Sequence, residues 1–311
     1  MLTTIIDTDL GEDVDDLIAL YLAGALQEDK QMDVRAILLS NARPQATMLA
    51  RYLASHLDLP ATIGCPTARS GASKKLNYLA LVDLIYDRVQ RERDFKGVAP
   101  VDHCEAVLTK TLSEAEDASV QLVMIGSSAN IALYLSKPEQ RELFNRKVLR
   151  IVMMAGDFER ARVETNVGLD PEAFRDVLET FEGNIFFCQS PLGKRLNFDP
   201  RPLDELWNPH HWPLLQGITM FKRVENARPA WDPATIAFAS GQCDHIFDIS
   251  QPSKVTLNQH DHTEVTPKPG GKHFVVDLKA DDDAAVFNEF LSSRVKRPSK
   301  KPVAYYDIYR H

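Results

Sequence analysis

The chain lacks any run approaching the roughly 20 consecutive apolar residues that a membrane-spanning helix needs, so no bilayer crossing is expected. It also lacks a CxxC pair: its four cysteines, Cys65, Cys104, Cys188 and Cys243, stand far apart. In a chain of this length they read as reduced thiols, not as a disulfide framework or a zinc site. An excess of positive charge is missing too, with 36 basic against 44 acidic residues and a net charge of −8. That balance argues against a general nucleic-acid binder and against an anionic-membrane binder, since both need a basic surface. The opening Met-Leu-Thr-Thr-Ile-Ile enters an apolar stretch without a basic leader or cleavage site, so a signal peptide is not expected and the cytoplasm is the default compartment. No internal repeat and no low-complexity linker interrupts the 311 residues, and one domain over 1–311 is expected.

What is present suits a soluble protein with a sizeable core and a small-molecule ligand: 44% hydrophobic and 26% charged residues. Short, nearly continuous apolar runs alternate with segments of helical period. Strands are expected at Leu2–Ile6, Val34–Leu39, Val120–Ile125, Leu149–Met154 and Asn184–Cys188. Helices are expected at Asp15–Leu26, Pro44–Leu57, Leu76–Arg91, Val101–Ala115, Asn130–Leu135 and Pro171–Phe181. Strands apolar on both faces, separated by helices, predict an α/β fold with a mostly parallel open sheet covered by helices on both faces. Past about residue 195 the pattern loosens through Arg201–Leu215. Helical character returns at Pro233–Ser240 and Asp283–Val295, with a late strand near His273–Leu278. The basic stretch Arg294–Lys301 reads as a solvated face or linker.

Residues 5–20, IIDTDLGEDVDDLIAL, carry the strongest chemical signal, with six acidic side chains within ten residues: Asp7, Asp9, Glu12, Asp13, Asp15 and Asp16. The apolar strand places Asp7 and Asp9 at its carboxyl end, where open parallel sheets bind ligands. Unit charges about 4 Å apart repel by roughly 4 kcal/mol at an effective dielectric near 20, so a convergent cluster calls for a counter-ion or shared protons. Oxygen donors favour Ca²⁺ or Mg²⁺ over zinc. Asp13 or Asp15 could also cap the following helix, but capping does not call for Asp7 and Asp9. An EF-hand loop counted from Asp7 fails, because Gly11 falls at its fifth position. A phosphatase of the haloacid dehalogenase type also opens on a strand and Asp-x-Asp, and it stands as the alternative enzyme class, with Asp7 as nucleophile. A non-catalytic calcium- and ribose-binding protein stands as the alternative outside enzymes.

The acidic loop resembles the signature of the inosine/uridine-preferring nucleoside hydrolase family, Asp-x-Asp-Pro-Gly-x-Asp-Asp. Here Leu10 replaces the proline and two further residues precede Asp15-Asp16. Further similarities follow in order. They are Ser40-Asn41, Ile125-Gly126 through Asn130-Ile131-Ala132, Met153-Met154-Ala155-Gly156, Glu164-Thr165-Asn166, Asp170-Pro171-Glu172-Ala173 and Trp231-Asp232-Pro233. The resemblance implies a calcium-dependent hydrolysis of the N-glycosidic bond of a ribonucleoside or related N-riboside. It implies Ca²⁺ on Asp9, Asp16, the Ile125 carbonyl and Asp232. Asn41, Asp15, Met154, Glu164, Asn166, Trp231 and Asp232 would contact substrate, with Asp9, Asp15 and Asn166 in the chemical step. A calcium-held water, deprotonated by Asp9, would attack the anomeric carbon directly, and a homodimer or homotetramer is implied. Taken by themselves, Asn130 and Asp170 suit helix caps and Asn166 suits a turn. The departures concern the leaving group. Several relatives have a histidine where this chain has Trp231, and the family's His-Gly segment has no counterpart in Arg69–Tyr78. Tryptophan cannot act as an acid at neutral pH but can stack on a base. Arg223, Glu225, Asn226, Arg228, His210 and His211 are the remaining candidates near it, and an unusual aglycone is the alternative.

Overall fold

A computed structural model describes residues 1–66, 99–199 and 228–296, together with Leu214, Gly217 and Ile218. The expected helix at Leu76–Arg91, the Arg69–Tyr78 segment, most of Arg201–Leu215 and the end of the basic tail lie outside the described residues. So do His210, His211, Arg223, Glu225 and Asn226.

The first half of the chain builds a parallel sheet outward from its centre. β1 (Thr3–Thr8) leads into α1 (Asp15–Glu28), β2 (Asp33–Leu39), α2 (Pro44–His56) and β3 (Thr62–Cys65). β4 (Val101–His103) and α3 (Cys104–Glu114) complete this side. The chain then crosses to the other side of β1. There it lays down β5 (Val120–Met124), α4 (Ala129–Leu135), α5 (Pro138–Lys147), β6 (Val148–Met153), α6 (Thr165–Leu169), α7 (Pro171–Thr180) and β7 (Asn184–Cys188). β1 pairs in parallel with both β2 and β5, so the strand order reverses at the β1–β5 boundary. Such a switch point opens a crevice beyond the carboxyl ends of the strands.

The expected mostly parallel sheet with helices on both faces is present. Alternate residues of each central strand enter two cores. Ile6, Ile37, Leu39 and Val123 face α1 and α2, together with α9 (Trp231–Ser240) and α10 (Asp283–Val295). Ile5, Ala36, Leu38 and Leu122 face α3, α4, α5 and α7. Burial on both faces is why these strands read as unbroken apolar runs.

Three features depart from expectation. Val101–His103 is not the start of a helix: it pairs in parallel with β3, and α3 begins at Cys104. β3 itself, four residues containing Thr62 and Gly64, has too short an apolar run to be read as a strand. Beyond α8 (Ser190–Arg195), a short ladder joins β8 (Asn197–Phe198) to β9 (Arg228–Pro229). The parallel sheet is then extended by antiparallel strands: β10 (Phe247–Ile249), β11 (Ser253–Leu257) and β12 (Thr263–Pro267) are grouped around β13 (His273–Leu278). Their exposed residues make the apolar signal weaker than that of the buried strands.

Candidate active site

The acidic loop wraps the crevice at the switch point. β1 ends at Thr8, and Thr8 Oγ1 donates to Asp16 Oδ1 while accepting from the Leu10 amide at 3.1 Å. This ties the turn to the first turn of α1. Gly11 has a positive φ of 118°, which a side chain would strain, and it redirects the chain toward the helix. Asp15 and Asp16 lie at the helix N-terminus, where the helix dipole favours anions. α1 packs against α9, which brings Asp232 in the first turn of α9 to the same place; its amide donates to Asp15 Oδ2 at 3.4 Å. One carboxylate oxygen each from Asp15, Asp16 and Asp232 lies within 4.8 Å of the others, and all three residues are buried.

Asp9 joins from the strand end. It is held by the close approach of the β5–α4 loop: a Cβ on Gly126 would lie 2.7 Å from the Asp9 amide and 2.6 Å from Ser40 Oγ. Burial pushes the carboxyls of Asp9, Asp15, Asp16 and Asp232 well above their ordinary range, and their mutual repulsion adds to the shift. Too much negative charge thus converges here for the surrounding protein to neutralise. Carboxylate oxygens this close, buried and short of counter-charge, fit a hard divalent cation.

The facing wall comes from the loops after β5 and β6. Asn166 Nδ2 donates to the Met154 carbonyl at 3.0 Å and to the Ile125 carbonyl at 3.4 Å. Asn166 sits inside α6, not in a turn. Glu164 caps α6, accepting from the amides of Asn166 and Val167 and from that of Gly156. Burial raises its carboxyl too, against the pull of these amides. Arg162, Ser190, Lys194 and Trp231 add to the lining of a cavity of about 430 Å³. Among the described residues this cavity is also lined by Asp9, Glu12, Asp13, Asp15, Asp16, Ile125, Met154, Glu164, Thr165, Asn166 and Asp232. Trp231 does not hang free: its Nε1 donates to the Ser190 carbonyl at 3.0 Å.

Several expectations change. Asn130 is not a helix cap: from within α4 its Nδ2 donates to the Leu39 carbonyl at 3.0 Å and to the Asp7 carboxylate. Asp7, buried and pushed up to about 8, therefore braces the strand ends from behind the cavity and is not placed to act as a nucleophile. Asp13 does not cap α1 but forms an ion pair with Arg228 of β9, whose guanidinium lies 5.9 Å from the Trp231 ring centre. Asp170 caps α7, as expected, accepting from the Ala173 amide. Asn41 is buried at the end of β2, accepting from the Arg43 amide, and does not line the described cavity. Arg162, Ser190 and Lys194 were not legible as site residues, because no spacing or residue type marks them. The nearest sign is that Arg162 stands two residues before Glu164.

The order of these residues along the chain, now joined in one cavity, is matched by a family profile described as inosine-uridine preferring nucleoside hydrolase, over residues 4–286. The chain belongs to this family. It is accordingly a hydrolase of the N-glycosidic bond of nucleosides, and the phosphatase alternative falls away. Solved structures of similar fold include a plant nucleoside hydrolase (18% identity, 96% of this chain and 99% of that one, TM-score 0.71). Another is the inosine-uridine preferring nucleoside hydrolase of Bacillus anthracis (20% identity, 95% and 99%, TM-score 0.72). A third is the purine-preferring ribonucleoside hydrolase of Gardnerella vaginalis (15% identity, 94% and 99%, TM-score 0.71). No curated protein matches the sequence of this hydrolase. Among the described residues, no helix is long and apolar enough to cross a membrane.

Proposed function

We propose that this hydrolase uses Ca²⁺ to cleave a ribonucleoside or related N-riboside into free base and ribose, by direct attack of water and without a covalent intermediate. The observation that carries the reading is the convergence of Asp9, Asp15, Asp16 and Asp232, all buried, at the mouth of the switch-point crevice. Asp9, Asp16, Asp232 and the Ile125 carbonyl would hold the ion, and Asp15 stands close enough to share it. When bound, Ca²⁺ supplies a positive charge that orients the ribose diol and makes a nearby water more acidic.

The chain's own residues do the rest. Asp9 takes the proton from the attacking water. Asp15, Glu164 and Asp232 accept hydrogen bonds from the sugar hydroxyls, and Asn166 adds an amide group beside them, with Met154 against the ring. The buried carboxylates stabilise the positive charge that develops at the anomeric carbon. Hydrogen-bonding groups buried around the sugar would discriminate against a substrate lacking one hydroxyl, because its partner would be left unpaired. With Trp231 in place of a histidine, the aglycone is a modified base, a nicotinamide-type group or another that departs without protonation by histidine. The protein acts as one domain over 1–311 on a small nucleoside-like molecule in the cytoplasm. It forms a homodimer or homotetramer, with neither nucleic acid nor membrane as partner.

The test is release of reducing sugar from ribonucleosides, deoxyribonucleosides and nicotinamide riboside, with added calcium and with a chelator. Chelator-sensitive ribose release is the expected result. Release unaffected by the chelator, or none from any riboside by folded, calcium-loaded protein, would overturn the reading.

A further inference from the structure

The leaving group lacks an obvious partner, and the cavity lining offers one. Arg162 lies in the loop between β6 and α6 and lines the cavity. Its guanidinium is held at two points. Nε donates to the Asp157 carboxylate, whose side chain is fully buried, and Nη2 donates to Ser190 Oγ at 2.6 Å. Each anchor is itself fixed. The Asp157 amide donates to Thr263 Oγ1 at 3.0 Å, and Thr263 Oγ1 donates back to the Asp157 carbonyl. The Ser190 amide donates to the Gly156 carbonyl at 2.8 Å, and the Ser190 carbonyl receives the Trp231 indole. Arg162, Ser190 and Trp231 thus form one preorganised strip, ending on the residue that precedes Asp232. A guanidinium carries five N–H donors, and these two anchors use two of them.

Resting on the nucleoside-hydrolase reading, we propose that Arg162 is the leaving-group residue. It donates hydrogen bonds to the aglycone as negative charge builds there, and Asp157 and Ser190 are its positioning residues. The oxygen-rich sugar matches the carboxylate side of the cavity, which leaves the cationic and aromatic strip to face the heteroaromatic aglycone. Arginine stays protonated at any physiological pH, so it stabilises the departing anion without giving up a proton. The electron pair of the N-glycosidic bond goes to the aglycone nitrogen, and the hydroxide of water joins the anomeric carbon. The remaining proton of that water passes to Asp9 and on to solvent, and the aglycone anion takes a proton from solvent. Among the aglycones named above, the strip therefore favours those that leave as tolerable anions with acceptor atoms within reach of the guanidinium, over a nicotinamide-type group, which leaves neutral.

The experiment measures kcat for the wild type and for R162Q, R162K and S190A on two substrates. One is the ribonucleoside that the wild type cleaves fastest; the other is 4-nitrophenyl riboside, whose aglycone leaves as a stable anion. R162Q is expected to lose on the order of 100-fold on the nucleoside, the usual effect of removing one such donor, and far less on the nitrophenyl riboside. R162K should fall between, and S190A should show a smaller loss with the same bias. Equal losses on both substrates, or no loss on either, would overturn the proposal. So would a wild type that cleaves only the activated glycoside. If R162Q does not fold, R162K and S190A decide by the same ratio. A wild type that releases ribose from neither substrate removes the hydrolase reading itself, a result distinct from equal losses in the variants.

Discussion

Replacing Asp16 by asparagine should make the metal-free protein more stable while removing its stabilisation by calcium. The oxygens of Asp15, Asp16 and Asp232 lie within 4.8 Å of one another. At that distance and an effective dielectric near 20, each ionised pair repels by about 3.5 kcal/mol. D16N relieves two such pairs, about 7 kcal/mol with all three groups ionised, a figure that proton uptake by the cluster reduces. Against this stands the Thr8 hydroxyl bond to Asp16, worth about 1.5–3 kcal/mol with a charged acceptor and less with an amide. The net is a gain on the order of 1–3 kcal/mol without metal, a rise in Tm of several degrees for a chain of this size. For the wild type, calcium at 100 times its Kd should add about 2.7 kcal/mol, and in D16N most of that should vanish. Thermal unfolding at pH 7.5 with chelator and with calcium measures both quantities. If D16N is destabilised in chelator and still responds fully to calcium, Asp16 is a structural carboxylate and the electrostatic argument fails.

D9A should abolish turnover and lower calcium affinity, measured by isothermal titration beside the sugar-release assay; near-normal activity would refute the assignment of Asp9 as base. G126A should cut kcat and lower Tm together, because its Cβ would press on the Asp9 amide and Ser40 Oγ at under 3 Å, and the Asp9 backbone would have to shift; unchanged kinetics and Tm would show that this close approach is not needed to place Asp9. In chelator, stability should fall as pH rises. The buried carboxyls of Asp7, Asp9, Asp15, Asp16 and Asp232 keep protons in the folded state that the unfolded chain releases above its ordinary value of 3.8. Their contribution is complete below that value and declines as pH rises toward the folded values, near 8 for Asp7. Calcium displaces protons from its ligands, so the stabilisation it gives should grow over the same window; denaturant midpoints at pH 5 and 8, with and without calcium, check the sign.

The parallel half of the sheet was readable because its strands are buried on both faces and its helices carry one apolar stripe. Composition there largely follows burial, as in Asn184–Cys188, where the polar Asn184 is exposed and Ile185, Phe187 and Cys188 are buried. The acidic loop was readable because so many carboxylates within ten residues have no purely structural use. Asn130 looked like a cap because a polar residue at a helix start is usually satisfied locally. Its actual partners, Asp7 and the Leu39 carbonyl, are separated from it by 123 and 91 residues. The same holds for Asp13, whose partner Arg228 is 215 residues away.

By itself, then, the sequence determined the class of fold, the carboxyl-end placement of the acidic loop and the family chemistry, since these depend on local periodicity and on residues adjacent in the chain. Tertiary structure alone decided that Asp13 pairs with Arg228, that Asp7 faces away from the cavity, and that Arg162 is pinned between Asp157 and Ser190. Those are long-range contacts. They depend on which helix the switch in strand order brings over which strand end, and no local pattern of residues encodes that distance.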